Sequence, residues 1–386
     1  MSERENRRSR NGQGEVQTLG IDVTMLFCVF LLNIIGLLMI YSVTAYKSGA
    51  KDFFTQLMAI IGGIGLMILV TKVGIKWIPP RTLAFISLCV AGAAMLFLLI
   101  PGLKVTLNGA TRWFRLPGIP FTIQSAEIVK IAMILIMAWL LSIPNILSNT
   151  KGIIVAFAVP AVIALVLWGI SNNMSSAIIV VGISYIMIFV KSRRYKVYAG
   201  LAMLAIVGVI LLVILIKSGV GGDNFRFGRV RVWLNPEDTS TDVDNYQTIQ
   251  SLYAIGSGGL WGKGIGESIQ KMNKIPEAEN DMIFAVLCEE LGFVGAMVVM
   301  ILFAALILRL INLATKCNSM YDTLIVSGVA GHIALQAILN IAVVTNTIPN
   351  TGVSLPFISS GGSSVLCLLF EIALVLCVTK NQKVEQ

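Results

Sequence analysis

Ten apolar runs leave this 386-residue chain few ways to fold. They lie at roughly 22–43, 54–73, 81–100, 124–143, 152–170, 174–191, 197–217, 282–308, 322–347 and 355–379. Each is near the ~20 residues that a helix needs to cross a bilayer. In hydrocarbon, every backbone N–H and C=O must find its partner within the protein, and for runs of this length that means helices. Charged residues make up only 13% of the chain, about half the ~25% usual in soluble domains. The expected architecture is an all-α polytopic membrane protein of about ten transmembrane helices. Residues 1–20 form a basic tail, 21–217 hold helices 1–7, 218–281 a large polar loop, 282–379 helices 8–10, and 380–386 a second tail.

Charge distribution orients this bundle. Sixteen Lys and Arg fall on the side of the N-terminus, against five in the short loops opposite. Positive-inside logic places both termini in the cytoplasm and the working loops outside, the 218–281 segment among them. Its own Lys and Arg do not count against this, because long loops translocate largely regardless of charge. Met1–Gly20 is polar and Arg-rich, with no cleavable signal pattern. The formal charge of +9 is largely used as cytoplasmic anchoring, so no nucleic-acid partner is expected. The six cysteines lie in or beside apolar runs, which predicts neither a structural disulfide nor a metal-thiolate site.

Four stretches on the outer side carry unusual polar chemistry. The first is Asn108–Arg115, followed by Gln124–Lys130. Arg112 and Arg115 flank Trp113 and Phe114, and Trp113 reads equally well as an interfacial belt residue. Glu127 and Lys130 are i,i+3 neighbours inside span 4. They form either a structural clamp or one wall of a polar cavity in which Lys130 meets a phosphate. The second stretch, Gly256–Gly266, mimics a nucleotide loop but has no βαβ surroundings. Its glycines suit close backbone packing against the bundle or a lipid headgroup. Lys263, Lys271 and Lys274 give it a positive face, and Tyr246–Ile255 before it is suited to lie along the membrane surface.

The third stretch runs from Pro276 to Gly292. Asp281 stands at the start of an apolar helix, where it reads as a helix cap or as a functional carboxylate. Glu289 and Glu290 lie deeper and are expected to pair with Lys or Arg. The fourth, Pro349–Ser364, is rich in Gly, Pro and Ser. At membrane depth such a segment is tolerated only where protein or a water-filled cavity covers its backbone, which predicts a re-entrant or cavity-lining loop. Within it Ser359, Gly361, Gly362 and Ser363 are candidate substrate contacts. His332, the one histidine, sits mid-span and is expected to make a buried polar contact.

Together these stretches resemble the SEDS family of bacterial peptidoglycan glycosyltransferases (FtsW, RodA and SpoVE). The specific parts are Tyr246 to Gly264, the Pro276–Glu277–Ala278 and Asp281–Met282–Ile283–Phe284 runs with Glu289–Glu290–Leu291–Gly292, and Leu355 to Ser364. Glu267–Lys271 and the basic tail look more like the division and sporulation branch than the elongation branch.

The resemblance implies polymerisation of lipid II at the outer face of the bacterial cytoplasmic membrane, with a class B penicillin-binding protein as partner and divisome proteins around it. It maps an essential Asp onto Asp281 and an Arg-Trp motif onto Arg112 and Trp113. On this reading Asp281 is the general base. Arg112, Lys130, Arg115 and Lys263 are candidates for the pyrophosphate, and a divalent cation, Mg or Mn, is compatible with such a substrate although no protein cage for it is legible. The chain departs from the family pattern at Glu279–Asn280, where His-Thr is usual, at Ser125–Ala126, at Ser171–Ala177, where Asn173 replaces an acid, and at Ser360. The rival reading is a lipid II flippase, which ten helices with intramembrane charges would also suit. An elongation-type polymerase is a second alternative, and a scaffold recruiting the transpeptidase a third.

Overall fold

A computed structural model describes residues 17–18, 20, 22–45, 51–107, 110–119, 121–192, 195–217, 225–234, 243–272, 275–380 and 383–384. Its helices are α1 (Val23–Thr44), α2 (Lys51–Val73), α3 (Pro80–Phe97), α4 (Ser125–Ser142), α5 (Thr150–Ser171), α6 (Met174–Lys191), α7 (Tyr195–Lys217), α8 (Phe225–Leu234), α9 (Val243–Gly258), α10 (Ile283–Thr315), α11 (Met320–Val344) and α12 (Gly362–Thr379). Among the described residues, α1–α6 and α10–α12 are long and apolar enough to cross a membrane. The run expected at 197–217 is also helical, as the 23-residue α7, several of whose side chains lie outside the described residues.

Helices α4, α11 and α12 form the enclosed centre, while α2, α3 and α5 turn much of their apolar surface outward. In lipid this inversion costs nothing, because acyl chains are as apolar as Leu; what holds the helices together is packing and polar pairing. His332, midway along α11, is such a pair: its Nδ1 lies 2.8 and 2.9 Å from the two carboxylate oxygens of Glu371 on α12, both residues being fully buried. Whichever partner holds the proton, removing His332 strands Glu371 in an apolar core. His332→Ala is expected to cost about 3 kcal/mol. The double replacement His332→Leu/Glu371→Leu should recover most of that, as read from thermal unfolding of purified protein. A second tie lies at the start of α1: Asp22 caps the helix through Met25 N–H (2.8 Å) and accepts from Arg309 Nε (2.7 Å) on α10.

Two features depart from the expected plan. The span expected at 282–308 runs from Ile283 to Thr315 and is broken at Gly292 (φ 68°, ψ −169°). The loop after α9 fills the break. Lys263 N–H and Gly264 N–H donate to the freed carbonyls of Glu289 and Glu290 (2.9 and 3.0 Å), and Phe293 and Val294 N–H donate back to Gly259 and Leu260 (2.9 and 3.1 Å). Only glycine fits at 262, where φ is 79° and a Cβ would collide with the Glu290 carbonyl. The glycine-rich stretch is thus a backbone plug, in keeping with the close packing expected of it. Second, helix α9 packs one face on α10, with Gln247, Thr248, Ser251 and Ala254 buried, and leaves Tyr246 and Tyr253 exposed on the other.

The helical plan carries a small three-stranded sheet, at the end where α9 joins α10. Strands β2 (Lys104–Leu107), β3 (Ala110–Phe114) and β4 (Ile123–Gln124) pair antiparallel between α3 and α4. A two-residue pairing of β1 (Gln17–Thr18) with β5 (Lys383–Val384) joins the chain's ends. Asn108 and Gly109, at the tip of the hairpin, lie outside the described residues, as does Lys274.

Candidate active site

Arg112 reaches the site by an irregularity. In the β2–β3 pairing, Trp113 faces Val105 and Thr111 faces Thr106, so Arg112 is the extra residue of a β-bulge. A bulge breaks side-chain alternation and re-aims what it carries. Neighbouring Phe114 anchors the hairpin, buried against Phe97 with ring centroids 5.3 Å apart. Trp113 is half-buried and Arg115 is exposed. Arg112 Nε is buried with no hydrogen-bond partner among the described residues. Burial holds its guanidinium below the ordinary arginine range, Arg229 on α8 pushes the same way, and Asp281 offsets part of the effect. Arg112, Arg229 and Asp281 therefore share one electrostatic neighbourhood, in which two cations face one acid.

Asp281 stands one residue before Met282, which occupies the N-cap position of α10. The side chain at that position makes no capping hydrogen bond, and Asp281 lies one residue outside the N-cap position expected for it. Its carboxylate lies against the 349–361 loop, with Oδ2 3.7 Å from where a Cβ on Gly352 would sit. Its carbonyl accepts from Asn340 Nδ2 (2.7 Å) on α11.

The 349–361 loop dips into the bundle and ends at Gly362, so residues 355–361 of the last expected span are not helical. Helix α1 makes room for it at Gly36, where any Cβ would lie 2.5 Å from the Phe357 carbonyl. Neighbouring side chains satisfy the loop's backbone. Gln336 Nε2 donates to the Ser354 carbonyl (3.0 Å), Asn340 to Val353 (2.7 Å), and Ser175 to Thr351. Gln56 accepts from Gly361 N–H (3.1 Å), and Ser360 N–H donates to the Glu279 carbonyl (2.8 Å). Asn173, where the family pattern has an acid, caps α6 through Ser176 N–H (3.0 Å).

Several candidate substrate contacts also hold the loop itself. Ser359 is buried and accepts from Leu355 N–H (2.7 Å), while Ser363 accepts from Gln124 N–H (3.2 Å). Gly361 meets Gln56, and Gly362 packs against Phe121 and Ala59. All four shape the loop. Glu127 and Lys130 form a sealed ion pair (2.8 Å), and Lys130 also donates to Gln336 Oε1 (3.1 Å). Lys130 is 1% exposed and bears on the loop through Gln336. Lys263 is committed to Glu289 (2.6 Å) and Lys271 to Glu290 (2.8 Å). The expected pairing of the two glutamates is met by these lysines, and the positive face expected of the loop is neutralised by them. Arg229, Gln336 and Asn340 were not singled out from the sequence, although two carboxamides one turn apart inside an apolar run are a legible signal.

Residues 22–384 match the family model FTSW_RODA_SPOVE, described as "Cell cycle protein". Stage V sporulation protein E of Bacillus subtilis (strain 168) is 33% identical over 368 residues, covering 94% of this chain and 98% of its own length. A probable peptidoglycan glycosyltransferase FtsW of Trichlorobacter lovleyi is 33% identical over 375 residues, 94% of each chain. Among solved structures, one described as "Structural coordination of polymerization and crosslinking by a peptidoglycan synthase complex" superposes with a TM-score of 0.72 at 25% identity, covering 93% of this chain and 97% of that one. The crystal structure of the rod shape determining protein RodA of Thermus thermophilus gives 0.63 at 25% identity, covering 94% and 97%.

Proposed function

The chain belongs to the FtsW/RodA/SpoVE family, and from that premise we propose that it is a peptidoglycan glycosyltransferase that polymerises lipid II at the outer face of the cytoplasmic membrane. The carrying observation is the grouping of one carboxylate with two guanidiniums at a single end of the bundle. Positive-inside charge makes that end the outer one. A carboxylate at the mouth of an apolar helix is costly and calls for a use.

The reaction needs two things there. The acceptor sugar's 4-hydroxyl loses its proton to Asp281 as its oxygen bonds to the donor's anomeric carbon. The bond from that carbon to the pyrophosphate oxygen breaks, and undecaprenyl pyrophosphate leaves with the electron pair. Arg112 and Arg229 meet its charge with preorganised cations. Among the described residues one carboxylate beside two guanidiniums makes no cage for a divalent cation, and on this reading the arginines carry the charge. A class B transpeptidase is the proposed partner, in keeping with the synthase complex that the fold resembles. The SpoVE and FtsW relatives favour septal or spore-wall synthesis.

Purified protein incubated with labelled lipid II, alone and with a class B transpeptidase, is expected to yield glycan chains. Chains exclude pure transport and pure scaffolding. Their absence in both arms would overturn the assignment.

A further inference from the structure

We propose that Asn340 is a positioning residue for the reaction: its side-chain amide clamps the Asp281 segment to the 349–361 loop and so sets where the catalytic carboxylate stands. The inference rests on reading Asp281 as the base. Asp281 sits within the turns of 275–282 that lead into α10, so no helix or strand fixes it. Val353 lies in irregular backbone too. Asn340 Nδ2, fully buried on α11, gives one hydrogen to each of their carbonyls, both at 2.7 Å. The two N–H bonds of a planar amide diverge at a fixed angle, so one group sets the separation of two loose segments.

The amide's orientation is determined by its partners. Turned over, its oxygen would face two carbonyls, so Nδ2 must point at them. Asn340 Oδ1 is then buried with no partner among the described residues. The amide is thus committed as a donor, and both of its hydrogens go to these two segments. Gly352, next to Val353, is the residue against which Asp281 Oδ2 lies, so the clamp holds both the base's own backbone and the wall its carboxylate rests on.

One turn earlier, Gln336 repeats the arrangement with different consequences. It grips Ser354 and takes a bond from Lys130, but makes no bond to Asp281. Gln336 supports the loop, whereas Asn340 couples the loop to the acid. The pair supplies an internal control, because both carboxamides are buried and both hold the same loop.

The test is steady-state polymerisation of lipid II by Asn340→Leu, Gln336→Leu, Asp281→Asn and Asp281→Glu, and by the double variant Asn340→Leu/Asp281→Glu. A displacement of about 1 Å at a reacting group costs on the order of 100-fold. Asn340→Leu is expected to lower kcat roughly 10- to 100-fold with KM for lipid II within about threefold. In the Asp281→Glu background the carboxylate is already displaced, so adding Asn340→Leu is expected to cost at most a few-fold more, a non-additivity that signals one shared function. Gln336→Leu is expected to show no such coupling. If Asn340→Leu does not yield folded protein, Asn340→Thr, which carries no reaching amide, is expected to show the same split. Equal fold-losses of Asn340→Leu in the two backgrounds, or an unchanged kcat, would overturn the inference while leaving Asp281 as the base. An Asp281→Asn protein that polymerises at the wild-type rate would overturn the reading beneath it.

Discussion

Asp281→Asn is expected to lower the rate of glycan polymerisation by about 10²- to 10⁴-fold, the usual contribution of a general base. The substitution is close to isosteric, and the main-chain bond from Asn340 to residue 281 is untouched by it. The fold should therefore survive, which a thermal melt close to that of the wild type would show. The electrostatics give the loss a signature. Removing the acid beside Arg112 and Arg229 leaves the niche more positive toward a pyrophosphate. KM for lipid II should stay level or fall while kcat collapses, the pattern of a group that acts in the transition state rather than in binding. A variant whose KM rises with kcat intact would make Asp281 a binding residue and would remove the base from the mechanism. Asp281→Glu, which keeps the charge but displaces it by a methylene, should fall between the two.

The sequence carried the span pattern because membrane burial is read from composition alone: a 22-residue run such as Val23–Thr44 has one structural solution in hydrocarbon. It did not carry the break at Gly292, since Leu291 and Phe293 on either side continue an apolar run and Glu289 and Glu290 are themselves good helix formers. The cause of the break lies in the backbone of residues 258–264, which no local pattern connects to α10. Lys263 and Lys271 misled for the same reason. Taken singly they are exposed cations of a polar loop, and their partners, Glu289 and Glu290, belong to what reads as a membrane span. The hairpin was closer to legible. Val105 and Leu107 alternate with Lys104 and Thr106 at the strand period, but the run is short and the neighbouring Arg-Trp pair reads as a loop. The bulge that aims Arg112 depends on register, and register is set only when two strands meet. At the site, the chemistry-bearing Asp281 and Arg112 stood out because charge at an apolar boundary is costly. Gln336 and Asn340 carry a weaker signal, because a neutral amide costs less to bury than a charge and its partners here are backbone carbonyls of a distant loop.

The plug that fills the α10 break should be the most fragile joint in the molecule. Glu290 is fully buried, accepts from Lys271 Nζ (2.8 Å) on the loop and from Ser42 Oγ (2.6 Å) on α1, and Lys271 in turn donates to Ser42 (2.8 Å). Three segments distant in sequence thus meet on one carboxylate. Beside it, Glu289 accepts from Lys263 Nζ (2.6 Å), from Ser268, and from the N–H groups of Ile269 and Gln270 (3.2 and 3.3 Å). Lys271→Met keeps the length and apolar stem of the side chain but leaves the Glu290 carboxylate with the Ser42 hydroxyl alone. Stranding a buried charge costs about 3–5 kcal/mol, which for a chain at ordinary stability is a large share of the total. The expected result is a clearly lowered thermal midpoint, with protease cutting between residues 259 and 281 before the helices unfold. Polymerisation should fall in parallel, because the same segment delivers Asp281 to the site. Lys271→Met/Glu290→Met removes both charges and should restore most of the stability, since replacing a buried pair with apolar residues of similar size is often neutral or favourable. A double variant as unstable as Lys271→Met would show that Glu290 matters through Ser42 and α1 rather than through the lysine. Stability recovered without activity would separate holding the plug in place from placing the acid.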